Sequence, residues 1–304
     1  MSGKTRQTRI GLGLVFLGLL FFLFWFDGWF SQRLTENPDR WYEDGWLFAL
    51  VWGALVCLAC WEFLTIAENL TGRLPRRFYL AIIFLIITER YWFTLIGLPR
   101  TSLAHVGILL MMALYLGGIW QGLRHGIVNV LQRVGVMCLA VIYMGLGGWF
   151  VVKIRQLGPT LAPDNFFGAA TVVLTFILTV KSADIGAYLI GSWIGKHPWV
   201  PSISPAKTWE GFIGGVVLAM IVSSLLCLAF GIMGLGSALL FGLGMGVCGQ
   251  FGDLLESMFK RDAGVKDSAR MIPAFGGMLD LLDSLLVASP FAFLFLKACE
   301  GSVG

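Results

Sequence analysis

Residues 257–283 have the sequence SMFKRDAGVKDSARMIPAFGGMLDLLD, a charged segment between two almost uninterrupted apolar stretches. The apolar stretches, at 234–256 and 279–297, are each long enough for a helix to cross a bilayer, which takes about 20 residues. Charge at the end of a membrane helix is tolerated only where water, ions or opposite charges neutralise it. A segment with both carboxylates and cations therefore predicts a site for a metal ion and an anionic ligand.

The composition of the whole chain is that of an integral membrane protein. Hydrophobic residues make up 57% of the 304 residues and charged residues only 13%. A soluble core of this length could not bury so much apolar surface. The net charge of +4 is modest and spread along the chain, which gives no indication of nucleic acid binding. We therefore predict an all-α, polytopic membrane protein.

Nine apolar stretches are predicted to be transmembrane helices. They lie at 10–30, 46–67, 78–97, 102–120, 130–152, 166–190, 211–231, 234–256 and 279–297. Glu89 and Arg90 interrupt the third stretch, which predicts a break or a tilt there without changing the count.

The loops predict which side of the membrane each end of the bundle faces. With the N-terminus in the cytoplasm, 14 basic residues lie on the cytoplasmic side and seven on the opposite side. Cytoplasmic loops normally carry the excess of Lys and Arg. This orientation places the charged segment on the cytoplasmic face of the cell (inner) membrane, where nucleotides are available.

Polar residues in apolar surroundings are concentrated in the second half of the chain. Residues 1–165 consist of spans and short loops without a cluster of polar residues. Residues 166–285 contain nearly every polar residue that is unfavourable in apolar surroundings. We therefore divide the chain into N-terminal transmembrane helices at 1–165 and a catalytic transmembrane half at 166–304.

Two helix ends carry carboxylates at helical spacing. On the eighth predicted span, the spacing i, i+3, i+4, i+7 places four polar residues on one face: Asp253, Glu256, Ser257 and Lys260. The ninth span begins with a similar pattern at Asp280, Asp283 and Ser284. The two helix ends can present carboxylates to one point, where Mg²⁺ would find hard oxygen ligands. The alternative is a set of interfacial caps and salt bridges.

Two further polar elements precede these helices. Ser204, Lys207 and Thr208 come just before a predicted helix, whose first N–H groups could bind phosphate. The alternative is that Thr208 is only the N-cap of that helix. Lys181 and Asp184, three residues apart near the cytoplasmic end of the sixth span, predict an ion pair that is costly unless it serves function or is fully paired.

A glycine motif inside the eighth span predicts helix packing rather than nucleotide binding. Gly244-Met-Gly246-Val-Cys-Gly249 matches the G-x-G-x-x-G pattern, but it follows no strand. Small residues within a membrane span allow neighbouring helices to approach closely.

Five motifs follow one another along the second half of the chain. They are Asp184-x-x-Ala187-Tyr188, Ser204-Pro205-x-Lys207-Thr208-x-Glu210-Gly211, Gly252-Asp253-Leu254-x-Glu256-Ser257, Ser257-x-x-Lys260-Arg261-x4-Lys266-Asp267 and Pro273-x-x-Gly276-Gly277-x-Leu279-Asp280-x-x-Asp283. This series resembles the signature of the phosphatidate cytidylyltransferase family, also called CDP-diacylglycerol synthases. The resemblance is close over about 184–284.

The resemblance implies an all-helical, homodimeric membrane enzyme that uses a divalent metal such as Mg²⁺. Its substrates would be CTP and phosphatidate, and its products CDP-diacylglycerol and pyrophosphate. The metal would be bound by Asp253 and Asp280, with Glu256 and Asp283 as further ligands. The expected catalytic residues are Lys207, Lys260, Arg261, Lys266 and Asp267. The expected substrate-binding residues are Asp184, Ser204, Thr208, Ser257 and Arg270.

Two positions differ from the family pattern. The family normally has His before Gly276-Gly277 and Arg directly after the position of Asp280, where this chain has Phe275 and Leu281. Each difference removes a cation or a proton donor, and Arg270 on the same loop could supply the missing charge. A phosphate monoester is already a nucleophile near neutral pH, so no histidine base is required.

Two other functions stay open on the sequence. A CTP-dependent lipid kinase of the polyprenol type would transfer the γ-phosphoryl group to an alcohol and would need a base. An ion-coupled transporter would bind cations near the bilayer midplane. The carboxylates of this chain are instead clustered at helix ends, and no inverted repeat is evident.

Overall fold

The computed structural model describes residues 45–97, 103–162, 170–265 and 277–303, together with Phe22, Phe26 and Asp27. Its α-helices are α1 (Trp46–Thr71), α2 (Arg76–Ile87), α3 (Glu89–Leu95), α4 (Leu103–His125), α5 (Val130–Ala140), α6 (Gly147–Gln156), α7 (Gly158–Leu161), α8 (Thr171–Ile194), α9 (Trp209–Ala229), α10 (Leu235–Asp262) and α11 (Met278–Val303). A π-helix, Val141–Leu146, connects α5 to α6. The prediction of an all-α polytopic membrane protein is confirmed.

The described helices account for eight of the nine predicted spans. Seven of these spans are long and apolar enough to cross a membrane, and the bent pair α2 and α3 makes an eighth. This pair turns by 79° around Thr88, next to Glu89 and Arg90, where the sequence predicted a break. The first predicted span, 10–30, lies almost entirely outside the described residues, so the count of nine stays a prediction.

A β-hairpin connects α8 to α9 at the end of the bundle that carries the charged segment. Its strands are β1 (Pro198–Val200) and β2 (Ser204–Thr208), which pair antiparallel. Trp199 in β1 packs against Phe212 of α9 and Phe251 of α10, with ring centroids 4.7 Å and 5.8 Å away. The hairpin is therefore attached to both helices. Strands this short show little alternation of polar and apolar residues, so the sequence pattern did not predict them.

Glycines allow the helices of the second half to touch backbone to backbone. A Cβ atom added at Gly252 would lie 2.7 Å from the Cα of Ser284, so α10 and α11 are in direct contact there. A Cβ at Gly246 would lie 2.9 Å from the Cα of Val216 on α9. At Gly244 it would meet open space. The packing interpretation of this motif is confirmed for Gly246 and not for Gly244.

The π-helix lies where the first and second halves of the chain meet. The backbone carbonyl of Gly147, just after it, accepts a hydrogen bond from Ser289 Oγ of α11 at 2.8 Å. The carbonyl of Gly148 accepts one from Trp52 Nε1 of α1 at 3.1 Å. Backbone polar groups at membrane depth need partners within the protein. These two bonds tie α6 to α1 and α11.

Two buried ion pairs lie at the opposite end of the bundle from the charged segment. Lys153 Nζ is 2.9 Å from Glu89 Oε1, and Arg155 Nε is 2.6 Å from Asp27 Oδ2, with all four side chains buried. The span predicted to end at residue 152 instead continues as α6 to Gln156, so both cations belong to a helix. Charge buried in a membrane protein is normally paired in this way.

Candidate active site

Three carboxylates from two helices converge where α10 ends and α11 begins. Asp253 and Glu256 extend from α10 and Asp283 extends from α11, and one oxygen of each lies within 4.8 Å of the others. The backbone contact at Gly252 brings the helices close enough for this. Glu256 and Asp283 are buried, whereas the side chain of Asp253 is 47% exposed. The prediction that the two helix ends present carboxylates to a common point is confirmed.

The chemistry of this carboxylate cluster fits a divalent cation. Mg²⁺ binds oxygen ligands at about 2.1 Å, so two oxygens on opposite sides of the ion lie about 4.2 Å apart. The separations of up to 4.8 Å in this structure approach that value. Glu256 Oε1 is buried and has no hydrogen-bond partner among the described residues. A buried polar atom of this kind costs free energy unless a ligand or an ion binds it.

Two lysines neutralise part of the charge of the cluster. Lys207 Nζ, from β2, lies 3.0 Å from Asp253 Oδ2. Lys260 Nζ, one turn after Glu256 on α10, lies 3.1 Å from Glu256 Oε2 and 2.8 Å from Asp280 Oδ1. Both ammonium groups are thus held at the carboxylates, one from α10 itself and the other from the neighbouring strand β2.

Asp280 lies beside the three-carboxylate cluster rather than in it. Its Oδ1 pairs with Lys260, and its Oδ2 accepts a hydrogen bond from the backbone N–H of Gly277 at 2.9 Å. Asp280 is the third residue of α11, so it bonds back to the N–H that precedes the helix and also pairs with Lys260, as in the alternative interpretation of the sequence. Its assignment as a metal ligand stays a prediction.

The expected ion pair on α8 is present and is connected to the cluster. Lys181 Nζ donates to Asp184 Oδ2 at 3.0 Å and to Ser284 Oγ at 2.7 Å. Ser284 Oγ also lies 3.3 Å from Asp184 Oδ2 and follows Asp283 on α11. In the described part of the chain, Asp184 Oδ1 is buried without a hydrogen-bond partner. This pair extends the polar site from α11 across to α8.

Carboxylates outnumber ammonium groups among the described residues of the site. Its described residues include five carboxylates and three ammonium groups: Asp184, Asp253, Glu256, Asp280 and Asp283 with Lys181, Lys207 and Lys260. Carboxylates gathered in apolar surroundings need cations or hydrogen bonds beside them, and the three lysines provide part of that compensation.

A cavity of about 240 Å³ adjoins the cluster, between α8, the hairpin, α9 and α10. Lys207 and Asp253 line the cavity where it meets the cluster, and Tyr188 and Trp199 contribute aromatic walls. A ligand in this cavity can therefore contact an ammonium group, a carboxylate and aromatic rings together.

The N-cap role that the sequence left open for Thr208 is confirmed, and its role in phosphate binding stays a prediction. Its Oγ1 accepts a hydrogen bond from the backbone N–H of Gly211 at 3.2 Å, which makes it the N-cap of α9. The same residue also lines the cavity.

The remaining predicted site residues lie further from the carboxylates or outside the described chain. Arg261 is exposed, and its Nε donates to the backbone oxygen of Ile203 in the hairpin turn at 3.4 Å. Ser204 is in β2 and Ser257 is on α10, and neither belongs to the described residues that line the cavity. Three predicted residues lie outside the described ranges: Lys266, Asp267 and Arg270.

One buried carboxylate of the first half reaches this site and was not predicted from the sequence. Glu62 of α1 is 2% exposed, and its Oε2 accepts a hydrogen bond from the backbone N–H of Leu279 at 2.9 Å, one residue before Asp280. A carboxylate is favourable at a helix N-terminus. The signal in the sequence was an ionisable residue inside the predicted span 46–67, which commonly marks function in a membrane protein.

Comparison with protein families agrees with the motifs. The family model described as the cytidylyltransferase family matches residues 40–299, which is most of the chain.

Several bacterial proteins are similar to this chain over part of its length. The phosphatidate cytidylyltransferase of Bacillus subtilis (strain 168) is 37% identical over 166 residues, 54% of this chain and 59% of the relative. That of Haemophilus influenzae is 39% identical over 137 residues, 43% of this chain and 47% of the relative. The uncharacterised protein YnbB of Escherichia coli (strain K12) is 41% identical over 139 residues, 46% and 47% of the two chains. The chain thus spans about half the length of the curated relatives it matches.

We expect the hydrogen bond from Leu279 to Glu62 to hold the N-terminus of α11 in place. Glu62→Gln keeps an oxygen that can accept this bond, whereas Glu62→Ala leaves a buried N–H unsatisfied, which costs about 1–3 kcal/mol. The thermal unfolding midpoint of the purified protein in detergent should therefore fall in Glu62→Ala and stay near the wild-type value in Glu62→Gln. Equal losses in the two variants would mean that the charge of Glu62, and not this bond, stabilises α11.

Proposed function

We propose, since the chain belongs to the cytidylyltransferase family, that it transfers the CMP group of CTP to phosphatidate and releases pyrophosphate. The observation that carries this proposal is the convergence of Asp253, Glu256 and Asp283 with Lys207 and Lys260 at the ends of membrane helices. A reaction between a soluble nucleotide and a lipid phosphate has to take place at the membrane surface. It also needs groups that offset the charges of both phosphates.

The carboxylate cluster is the proposed metal site. Asp253, Glu256 and Asp283 would hold Mg²⁺ or another divalent cation, with Asp280 as a further ligand on the strength of the motif resemblance. When bound, the cation would contact phosphate oxygens and offset the negative charge that develops in the transition state. The convergence of the three carboxylates supports this assignment, as does the buried Glu256 Oε1, which has no hydrogen-bond partner among the described residues.

The lysines are the proposed phosphate-binding groups. Lys207 and Lys260 are already placed at the cluster by their carboxylate partners, so little reorganisation is needed for each to contact a phosphate oxygen. An oxygen of the phosphatidate phosphate attacks the α-phosphorus of CTP, and the new P–O bond forms as the bond to pyrophosphate breaks. The attacking phosphate is already ionised near neutral pH, so no side chain has to remove its proton. Arg261, exposed beside the hairpin, is proposed to assist at the rim.

The 240 Å³ cavity is the proposed binding site for part of the nucleotide. Tyr188 and Trp199 provide aromatic surfaces that suit a planar base. Lys207 lies between this wall and the carboxylates, where a phosphate attached to that base would be needed. The hairpin thus contributes both a base-facing aromatic ring and a phosphate-facing ammonium group.

We further propose that this end of the bundle faces the cytoplasm at the cell (inner) membrane and that the protein is a homodimer. The excess of Lys and Arg in the loops at this end supports the orientation. Access to cytoplasmic CTP requires the same orientation. The dimer rests on the resemblance to the family.

The reaction is tested by the position of a radioactive label in CTP. Purified protein in detergent should incorporate label from α-labelled CTP into lipid when phosphatidate and Mg²⁺ are supplied, and label from γ-labelled CTP should appear in pyrophosphate. Transfer of the γ-label to a polyprenol would instead identify a lipid kinase. Absence of any labelled lipid with either substrate would contradict both enzymatic functions and favour the transporter alternative.

Two charge-removing substitutions distinguish a metal ligand from a helix cap. Asp253→Asn and Asp280→Asn should each lower the turnover of CDP-lipid formation by about 100-fold or more, because a neutral amide is a poor Mg²⁺ ligand. Asn at position 280 keeps an oxygen that can accept the N–H of Gly277 but loses the ion pair with Lys260, so Asp280→Asn should lower the unfolding midpoint only slightly. Asp262→Asn, which removes an exposed carboxylate from the same end of α10, is the control. Near-normal turnover in Asp280→Asn would leave that residue a cap only.

Cysteine labelling tests the orientation. In a background without the native cysteines, Lys196→Cys before the hairpin should be protected from an impermeant thiol reagent added to intact cells. Gly234→Cys, one membrane crossing away between α9 and α10, should react, and the structure leaves open space there for its side chain. The reverse pattern would place the carboxylates outside the cytoplasm and would rule out access to cytoplasmic CTP.

A further inference from the structure

A second cavity, of about 840 Å³, lies in the first half of the chain. It is formed by the end of α1, the turn that follows, the start of α2 and part of α4. α1 runs towards the same membrane face as α10, because Phe63 of α1 contacts Phe259 near the end of α10 with ring centroids 5.5 Å apart. The cavity therefore opens at the face that also carries the carboxylate cluster, but it shares no lining residue with the first cavity.

Basic residues dominate the polar lining of this cavity. Four arginines lie in or beside it: Arg73, Arg76, Arg77 and Arg124. Glu68 is the one carboxylate among the described residues that line it. The guanidinium group of Arg124 lies 6.0 Å from the ring centre of Trp120, which lines the cavity from α4.

The single carboxylate is already bound within the turn. Arg76 Nε donates to Glu68 Oε1 at 2.8 Å, and Arg76 Nη1 donates to Thr65 Oγ1 at 2.9 Å. Glu68 Oε1 also accepts the backbone N–H of Leu74 at 3.0 Å. The guanidinium group of Arg76 lies 5.0 Å from the ring centre of Trp61. These contacts fix the turn and use Glu68 to neutralise Arg76.

The other arginines leave the cavity positively charged. Arg73 and Arg77 flank Arg76 in sequence and are both exposed, as is Arg124. Because Glu68 is bound to Arg76, these three guanidinium groups give the cavity an excess of positive charge. Guanidinium groups bind phosphate oxygens through paired N–H donors, so the polar part of the cavity is complementary to a phosphate.

The rest of the cavity is apolar and aromatic. Trp61 and Trp120 are 40% and 37% exposed, and Leu74 and Phe78 complete this surface. Tryptophan is typical of the depth at which lipid headgroups meet acyl chains. A soluble phosphate would contact the arginines and leave the tryptophans uncovered. A phosphate that carries a glycerol group and acyl chains would cover both surfaces.

We propose that this cavity binds the headgroup of an anionic phospholipid from the surrounding leaflet. Arg73 and Arg77 contact the phosphate, Arg124 adds positive charge, and Trp61 and Trp120 pack against the glycerol group and the first acyl carbons. The bound lipid lies on the same membrane face as the carboxylate cluster, yet outside it. This lipid site requires only a bilayer and does not depend on the proposed reaction.

Brominated lipids test the site, because bromine quenches the fluorescence of tryptophans that it contacts. Purified full-length protein is titrated with brominated phosphatidylglycerol or with brominated phosphatidylcholine in detergent micelles. We expect the anionic lipid to quench at a several-fold lower mole fraction, and the double variant Trp61→Phe/Trp120→Phe to remove most of this difference. Arg73→Gln/Arg77→Gln should raise the required mole fraction about tenfold or more, since two charge-assisted hydrogen bonds are lost.

The matched control is Lys196→Gln, which removes an exposed cation from the same face outside the cavity and should quench like the wild type. Unfolding midpoints confirm that each variant is folded, as expected for substitutions of exposed side chains. Equal quenching by the two lipids in the wild type would overturn the proposal, as would an unchanged titration in the double arginine variant. Displacement of the brominated lipid by millimolar inorganic phosphate would identify a site for soluble anions instead and would equally overturn it.

Discussion

The contact between the backbones of α10 and α11 at Gly252 is the constraint on which the site depends. A side chain at this position would overlap the Cα of Ser284, so the two helices could not approach as they do. Asp253 follows Gly252 directly, and Asp283 precedes Ser284 directly. The closest approach of the helices therefore sets the distance between their carboxylates, and a membrane helix pair gains this proximity from small residues rather than from a hydrophobic driving force.

Carboxylates that are brought together at a membrane surface repel one another, and lysines from the surrounding elements offset this repulsion in part. Lys260 approaches from α10 itself, Lys207 from the hairpin, and Lys181 from α8. Each ammonium group is paired with a carboxylate, and this pairing fixes its position in the site. Glu256 Oε1 has no hydrogen-bond partner among the described residues, which agrees with the metal site proposed above. Among the described residues, the carboxylates are thus only partly paired with cations at the place where the reaction is proposed to occur.

Local spacing allowed the sequence to predict the helices and the faces they present. Asp253 and Glu256 are three residues apart on one helix, so their common face follows from helical geometry alone. For Thr208 and Asp280, the sequence left open whether each side chain caps a helix or binds a ligand. The answer depends on which groups each side chain contacts, and helical spacing does not determine those contacts. Glu62 stood out locally as an ionisable residue inside a span, but its partner Leu279 is 217 positions away, so no local pattern could reveal that contact. The assignments of Lys266, Asp267 and Arg270 stay predictions.

The contact of Glu62 also bears on the division of the chain into two halves. The clustered polar residues follow position 165, but a hydrogen bond to Glu62 of α1, in the first half, holds the N-terminus of α11. Phe63, the next residue of α1, contacts both Phe259 on α10 and Tyr143 of the π-helix. The π-helix lies beside the glycines that bond to α1 and α11. The first half therefore determines where α11 begins, and the position of α11 determines whether Asp283 meets the carboxylates of α10.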